Sequence, residues 1–301
     1  MTTPRRDLVD PQQRLCYHII SRCVRRSYLC GRDKRTRKDY SHRKQWIIDG
    51  INHLTPCFAV NVHAYAIMSN HFHLVVEFDP KAHLTWSREQ VADRWVTVCP
   101  RKNRNGDVDD IKTAIYREAL LLDEKELERV RGELGDLSTY MKFLKWRISF
   151  DANREDGCTG HFFEKRFWSG AILDEPALVA SMAYVDLNPV RAKIAESIEA
   201  AENTSIHERL RGMTKQSLDE AMAPLVAGLE NTGGTSVSLG AYIDYLRVLT
   251  KTTPSHSDIE QRWIQQVASI GKRQRAYGTT KSLKQWFSQR RLRALESPLP
   301  G

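Results

Sequence analysis

Apolar and polar residues alternate along Arg14 to Val24, the period of a strand with one buried face. The period then changes. Trp46, Ile47, Ile51 and Leu54 recur at helical spacing, which predicts a helix over Tyr40 to Leu54 after a basic loop. Phe58 to Met68 and His71 to Phe78 read as two more strands, and the Ser69-Asn70 pair between them predicts a tight hairpin turn. Leu137, Tyr140, Met141, Leu144 and Ile148 restore the helical period within Asp136 to Ala152. Beyond Gly157 and Gly160, His161 to Leu173 reads as extended, with an irregularity near Gly170, and helical character resumes at Glu175. Strand, helix, strand, strand, helix, strand is the order of a ferredoxin-like split βαβ antiparallel sheet, so the expected fold class is α+β.

Two stretches lie outside that order. Residues 81–135 read as a helical insertion, with a polar run from Arg101 to Asp110 and one charged helical segment from Asp110 to Arg131, expected to pack beside the functional site. Trp86 and Trp95 within it offer rings for base stacking, but a tryptophan beside a helix more often fills a core. After about residue 204 no motif stands out. Residues 231–240 are rich in Gly, Ser and Thr, as a linker would be, and precede a helical Tyr242 to Thr250.

Composition narrows the class. With 301 residues, 41% hydrophobic and 28% charged, the chain can bury a sizeable core and shows no bias toward disorder. No apolar run approaches the roughly 20 residues of a membrane helix, and Met1 to Asp10 lacks the apolar core of a signal peptide, so no membrane association and a cytoplasmic location are expected. The six cysteines contain no Cys-x-x-Cys pair, which argues against a zinc ribbon and leaves reduced thiols as the plain reading. The net charge of +9 is concentrated: residues 1–45 hold thirteen Lys/Arg against four Asp/Glu, and Lys272 to Arg293 hold eight against none. Such clusters suit a polyanion, although a solvated surface explains the C-terminal one equally well.

The candidate chemistry begins at His71-Phe72-His73. On a strand the two imidazoles share a face at a backbone spacing of about 6.6 to 7 Å, while Phe72 points to the other side. A His-x-His pair needs a further ligand to hold a metal. Tyr184 and Asn188 stand four residues apart, which on a helix gives a phenol and a carboxamide a common face. Pro189 disfavours helical geometry at Asn188 and ends or kinks the helix there.

Four segments in order, Cys16-Tyr17-His18-Ile19-Ile20-Ser21-Arg22, Ala66-Ile67-Met68-Ser69-Asn70-His71-Phe72-His73-Leu74-Val75, Phe163-Glu164-Lys165-Arg166-Phe167 and Tyr184-Val185-Asp186-Leu187-Asn188-Pro189-Val190-Arg191-Ala192, resemble the REP-associated tyrosine transposases, relatives of the single-tyrosine HUH transposases. The likeness spans roughly residues 10–200. It implies an HUH endonuclease core over 1–200, interrupted at 81–135, with 201–301 as a C-terminal helical extension ending in a basic tail. It implies Tyr184 as the nucleophile, His71, His73 and Asn188 as ligands of Mg²⁺ or Mn²⁺, and cleavage of single-stranded DNA at hairpins through a 5′-phosphotyrosine intermediate. Arg22, Arg166 and Arg191 lie inside the matching segments and are the candidate phosphate contacts; His18 reads as a core histidine. The expected partner is single-stranded or hairpin DNA, and both a homodimer and a monomer are compatible with the likeness. A non-catalytic hairpin-binding regulator and a metal-dependent phosphodiester hydrolase are the alternative functions.

Overall fold

In the computed structural model the chain is described over residues 9–10, 12–33, 37–230, 234–250 and 257–290. The first alternating stretch forms strand β1 (Leu15–Arg22), and helix α1 (Arg43–Leu54) buries Ile47, Ile48, Ile51 and Leu54. Strands β2 (Val60–Ile67) and β3 (His71–Phe78) form the hairpin, with the Met68 N–H donating to the His71 carbonyl across Ser69-Asn70 at 2.9 Å. The Cβ that any side chain would place at Gly31 lies within 2.5 Å of the Ser69 side chain, so only glycine lets the preceding loop lie against this turn.

The insertion supplies α2 (Arg88–Val98), α3 (Asp110–Leu122) and α4 (Glu124–Leu134). The single helical segment expected from Asp110 to Arg131 is two helices. Asp123 leaves helical geometry at φ −108° and ψ 94°, and its carboxylate accepts the Glu126 N–H to cap the second. These helices follow Phe78, and the Leu134 carbonyl accepts from the Ala59 N–H. They therefore gather at the end of the sheet opposite His71, about 23 Å along β3, which corrects the expectation that the insertion lies beside the functional site. Trp86 and Trp95 are buried, as the core reading expects.

Helix α5 (Leu137–Asp156) is capped by Asp136 and closed by Gly157 in the left-handed conformation at φ 61°. The following segment is less extended than its pattern suggests. Only Trp168–Ile172 forms strand β4; Phe163 makes a lone bridge with Cys23. Helix α6 (Glu175–Asp186) starts at the Asp174 cap with Pro176 in its first turn, and it ends before Pro189 opens the short α7 (Asn188–Arg191).

The sheet order is β2-β3-β1-β4-β5, and its first four strands are antiparallel, as the split βαβ pattern predicts. The remaining chain forms α8 (Ser205–Arg211), α9 (Leu239–Thr250), α10 (Asp258–Ile270), β5 (Ala276–Tyr277) and α11 (Thr280–Arg290). β5 pairs parallel to β4 at one sheet edge. At the other edge Val62 exchanges hydrogen bonds with Leu225 and Val226, and the Ile67 N–H donates to the Asn203 carbonyl. Residues after 200 thus cover both edges. Residues 231–233 of the linker-like stretch, and Arg291 and Arg293 of the basic cluster, lie outside the described residues.

Two cores sandwich the sheet. One joins Tyr17, Ile19, Phe72, Leu74 and Val76 to α1 and α5. The second joins Ala64, Ala66, Val75 and Ile172 to α6, α9 and α10. Among the described residues no helix is long and apolar enough to cross a membrane.

Candidate functional site

Strand alternation selects the residues that face α6. On β1 these are Cys16, His18, Ile20 and Arg22; opposite them on β3 stand Glu77, Val75, His73 and His71. His71 and His73 share this face, with ring centroids 4.9 Å apart. The expected helix brings its two groups to the same place: the Asn188 Nδ2 lies 3.2 Å from His73 Nε2, and the Tyr184 ring centroid lies 5.8 Å from that of His73.

Both nitrogens of the His73 ring have a polar neighbour: Nδ1 lies 2.9 Å from His18 Nε2, and Nε2 lies 3.2 Å from Asn188 Nδ2. His71 Nδ1 donates to Asn70 Oδ1 at 2.6 Å, leaving Nε2 as the acceptor. Burial pulls the pKa of His71 below the ordinary histidine value and that of His73 well below it, with His18 and His71 adding to the effect at His73, so both imidazoles are neutral near pH 7. Two neutral imidazoles beside a carboxamide that can turn its oxygen inward form a donor set that fits a divalent cation.

His18 belongs to this cluster, although its sequence reads as core. It is fully buried, its pKa is pulled down to about 3 by burial and by Arg273, and its ring lies 5.7 Å from that of Tyr184. Trp168 and Tyr277 close around it at 5.4 and 6.4 Å between centroids. Alternation along β1 could have placed His18 on a sheet face; only the register shows that it reaches His73.

The Tyr184 phenol is half-buried. Burial raises its pKa above the ordinary tyrosine value, and Arg191 opposes that rise from 5.1 Å above the ring. A Cβ at Gly271 would lie 3.2 Å from Tyr184 Cε2, so the end of α10 packs directly on the phenol. Arg22 ends β1 opposite His71. Arg166 is exposed two positions before β4, on a segment tied to Arg22 by the Glu164 N–H donating to the Arg22 carbonyl at 2.8 Å. Arg191 is in contact with the Tyr184 ring.

A second group on the same face could hold a metal ion. Ligand atoms of Cys16, His63 and Glu77 all lie within 4.8 Å of one another. His63 sits at a bulge in β2 between Val62 and Ala64, buried, with its Nε2 3.7 Å from Glu77 Oε2. Glu77 is already engaged, accepting from Arg14 Nε at 2.7 Å and Asn61 Nδ2 at 2.9 Å, and burial holds the Cys16 thiol protonated. The sequence offers no signal for this group, because its members meet only through the register and the bulge.

No protein-family model matches the chain, and no curated protein matches it. Among solved structures it is similar to one described as the REP-associated tyrosine transposase bound to a REP hairpin, at 14% identity and a TM-score of 0.39, over 71% of this chain and 88% of that one. The likeness is distant, and the functional reading rests on this chain's own side chains.

Proposed function

We propose that this protein is a metal-dependent single-stranded DNA endonuclease and strand transferase that acts at hairpins. The observation that carries the reading is the convergence of a phenol, Tyr184 of α6, and a carboxamide, Asn188 at the start of α7, onto His73 and His71 of β3. His71 and His73 through Nε2, with the Asn188 oxygen, would hold Mg²⁺ or Mn²⁺. Such an ion polarises a non-bridging phosphate oxygen and offsets the charge that repels a nucleophile.

The rest falls to the chain's own groups. The Tyr184 oxygen attacks phosphorus as its phenolic proton passes to water; the bond from phosphorus to the 3′ oxygen breaks, and that oxygen takes a proton from water and leaves as a hydroxyl. The DNA is then joined to Tyr184 through its 5′ phosphate, the polarity implied by the family resemblance. A 3′ hydroxyl attacking this phosphotyrosine reverses the step and rejoins strands. Arg191 favours the phenolate, since a cation near a phenol lowers the work of deprotonation. Arg22 and Arg166, at the His71 end of the sheet, are the proposed phosphate contacts.

The test is incubation of wild-type protein and Tyr184→Phe with end-labelled hairpin DNA and Mn²⁺, followed by denaturing gel electrophoresis. A labelled protein band that needs the metal and disappears in Tyr184→Phe is the expected result. Metal-dependent cleavage without a covalent band would favour the hydrolase, and tight binding without cleavage the hairpin-binding regulator.

A further inference from the structure

On the other side of the sheet, α5 carries two large aromatic side chains in water. Trp146 and Phe150 are 58% and 49% exposed, four residues apart on the helix, with rings stacked at 5.8 Å between centroids and 28° between planes. They border a groove of about 540 Å³. Its floor is the buried Phe162, Phe163 and Phe167, and the charged residues lining it are Lys142, Lys145 and Lys165 against a single acid, Glu164. Exposed aromatic faces between cations suit a ligand that is planar and apolar in one part and anionic in another.

We propose that this groove binds unpaired bases of a single DNA strand, with bases stacking on Trp146 and Phe150 and the backbone phosphates lying along the lysines. The proposal deepens the DNA-processing reading and rests on it. Paired bases keep their faces inside the duplex stack, so rings presented to solvent select an unpaired segment. The position supports the same occupant. The groove wall at 160–167 is bonded to the end of β1: the Val24 N–H donates to the Phe162 carbonyl at 3.0 Å and the Glu164 N–H to the Arg22 carbonyl at 2.8 Å. Arg22 stands opposite His71. A strand lying in the groove therefore leaves it at the sheet end where the candidate site begins.

The experiment compares binding, by fluorescence anisotropy, of a labelled hairpin with an unpaired single-stranded tail and the same hairpin without it. Wild type, Trp146→Ala/Phe150→Ala and Lys142→Gln/Lys165→Gln are measured over a salt series, with circular dichroism and melting to verify folding. We expect wild type to prefer the tailed hairpin by about tenfold or more, and the aromatic variant to lose that preference while keeping its affinity for the blunt hairpin and its salt slope. The lysine variant should show a salt slope shallower by about one to two. A folded aromatic variant that keeps the tail preference, or a wild type that binds both hairpins equally, overturns the groove proposal and leaves the parent reading standing. Failure of wild type to bind either hairpin sinks both. Conversion of a dimer into a monomer by the aromatic substitutions, seen by light scattering, would assign the face to a second copy instead and overturn the proposal.

Discussion

His18 Nε2 lies 2.9 Å from His73 Nδ1, with both rings buried, so one nitrogen of His73 is engaged by the central strand while the other, Nε2, faces Asn188.

Replacing His18 with Leu removes that partner and puts an apolar side chain in its place. Mn²⁺ affinity, read by calorimetry on the otherwise intact protein, should fall about 10- to 100-fold. An unchanged affinity would show that His73 does not need His18 to hold its ring in place.

Arg191 acts on the phenol through charge, so Arg191→Gln should raise the Tyr184 pKa further. Covalent adduct formation then requires higher pH, and the rising limb of its pH profile moves upward while Tyr184→Phe remains inert. A profile that keeps its position but drops in height would point to a phosphate contact instead.

Asp186 ties α6 to the later chain. Fully buried, it accepts from the Ile206 N–H at 2.9 Å, from Tyr242 Oη at 2.7 Å and from Ser205 Oγ. Asp186→Ala takes the acceptor away from the Tyr242 hydroxyl and the Ile206 N–H and should cost about 3 kcal/mol in urea denaturation. A loss near zero would mean that water enters and replaces the carboxylate.

Glu77 predicts the acid limb. Burial pushes its carboxyl up, but His63, Arg14 and Asn61 outweigh burial and hold it at about 2, below the ordinary value of about 4.3. A depressed carboxyl stabilises the fold above its unfolded pKa and loses that contribution as pH falls toward its folded pKa. About 3 kcal/mol should therefore disappear between roughly pH 4.3 and 2. Glu77→Gln should flatten this limb in melts at graded pH, and a limb of unchanged steepness would place the acid sensitivity elsewhere.

The central sheet was legible because its signals are local: alternation for β1 and β3, the two-residue turn at Ser69-Asn70, and the helical period of α1 and α5. The start of α2 carries a local signal too, the reciprocal capping box of Ser87 and Gln90. The split between α3 and α4 was likewise marked by the Asp123 cap. β5 is only two residues long and carries no periodicity to read. Spacing placed His71 with His73 and Tyr184 with Asn188 on common faces, and the family resemblance joined the two pairs, whereas His18, Gly271 and Tyr277 enter only through pairings that spacing cannot express.

The hydrogen bonds that assemble the site join residues 55 and 115 positions apart, and its last wall is made by Gly271 and Tyr277. Contacts of such separation form late, and a chain emerging from the ribosome meets them in order. A nascent protein that has reached residue 200 already carries His18, His73, Tyr184 and Asn188, but it has neither the glycine that packs on the phenol nor the strand that covers β4. Enclosure of the candidate site therefore waits for residues 271–277, and a nascent chain that stalls before them carries His18, His73, Tyr184 and Asn188 without the wall that packs on them.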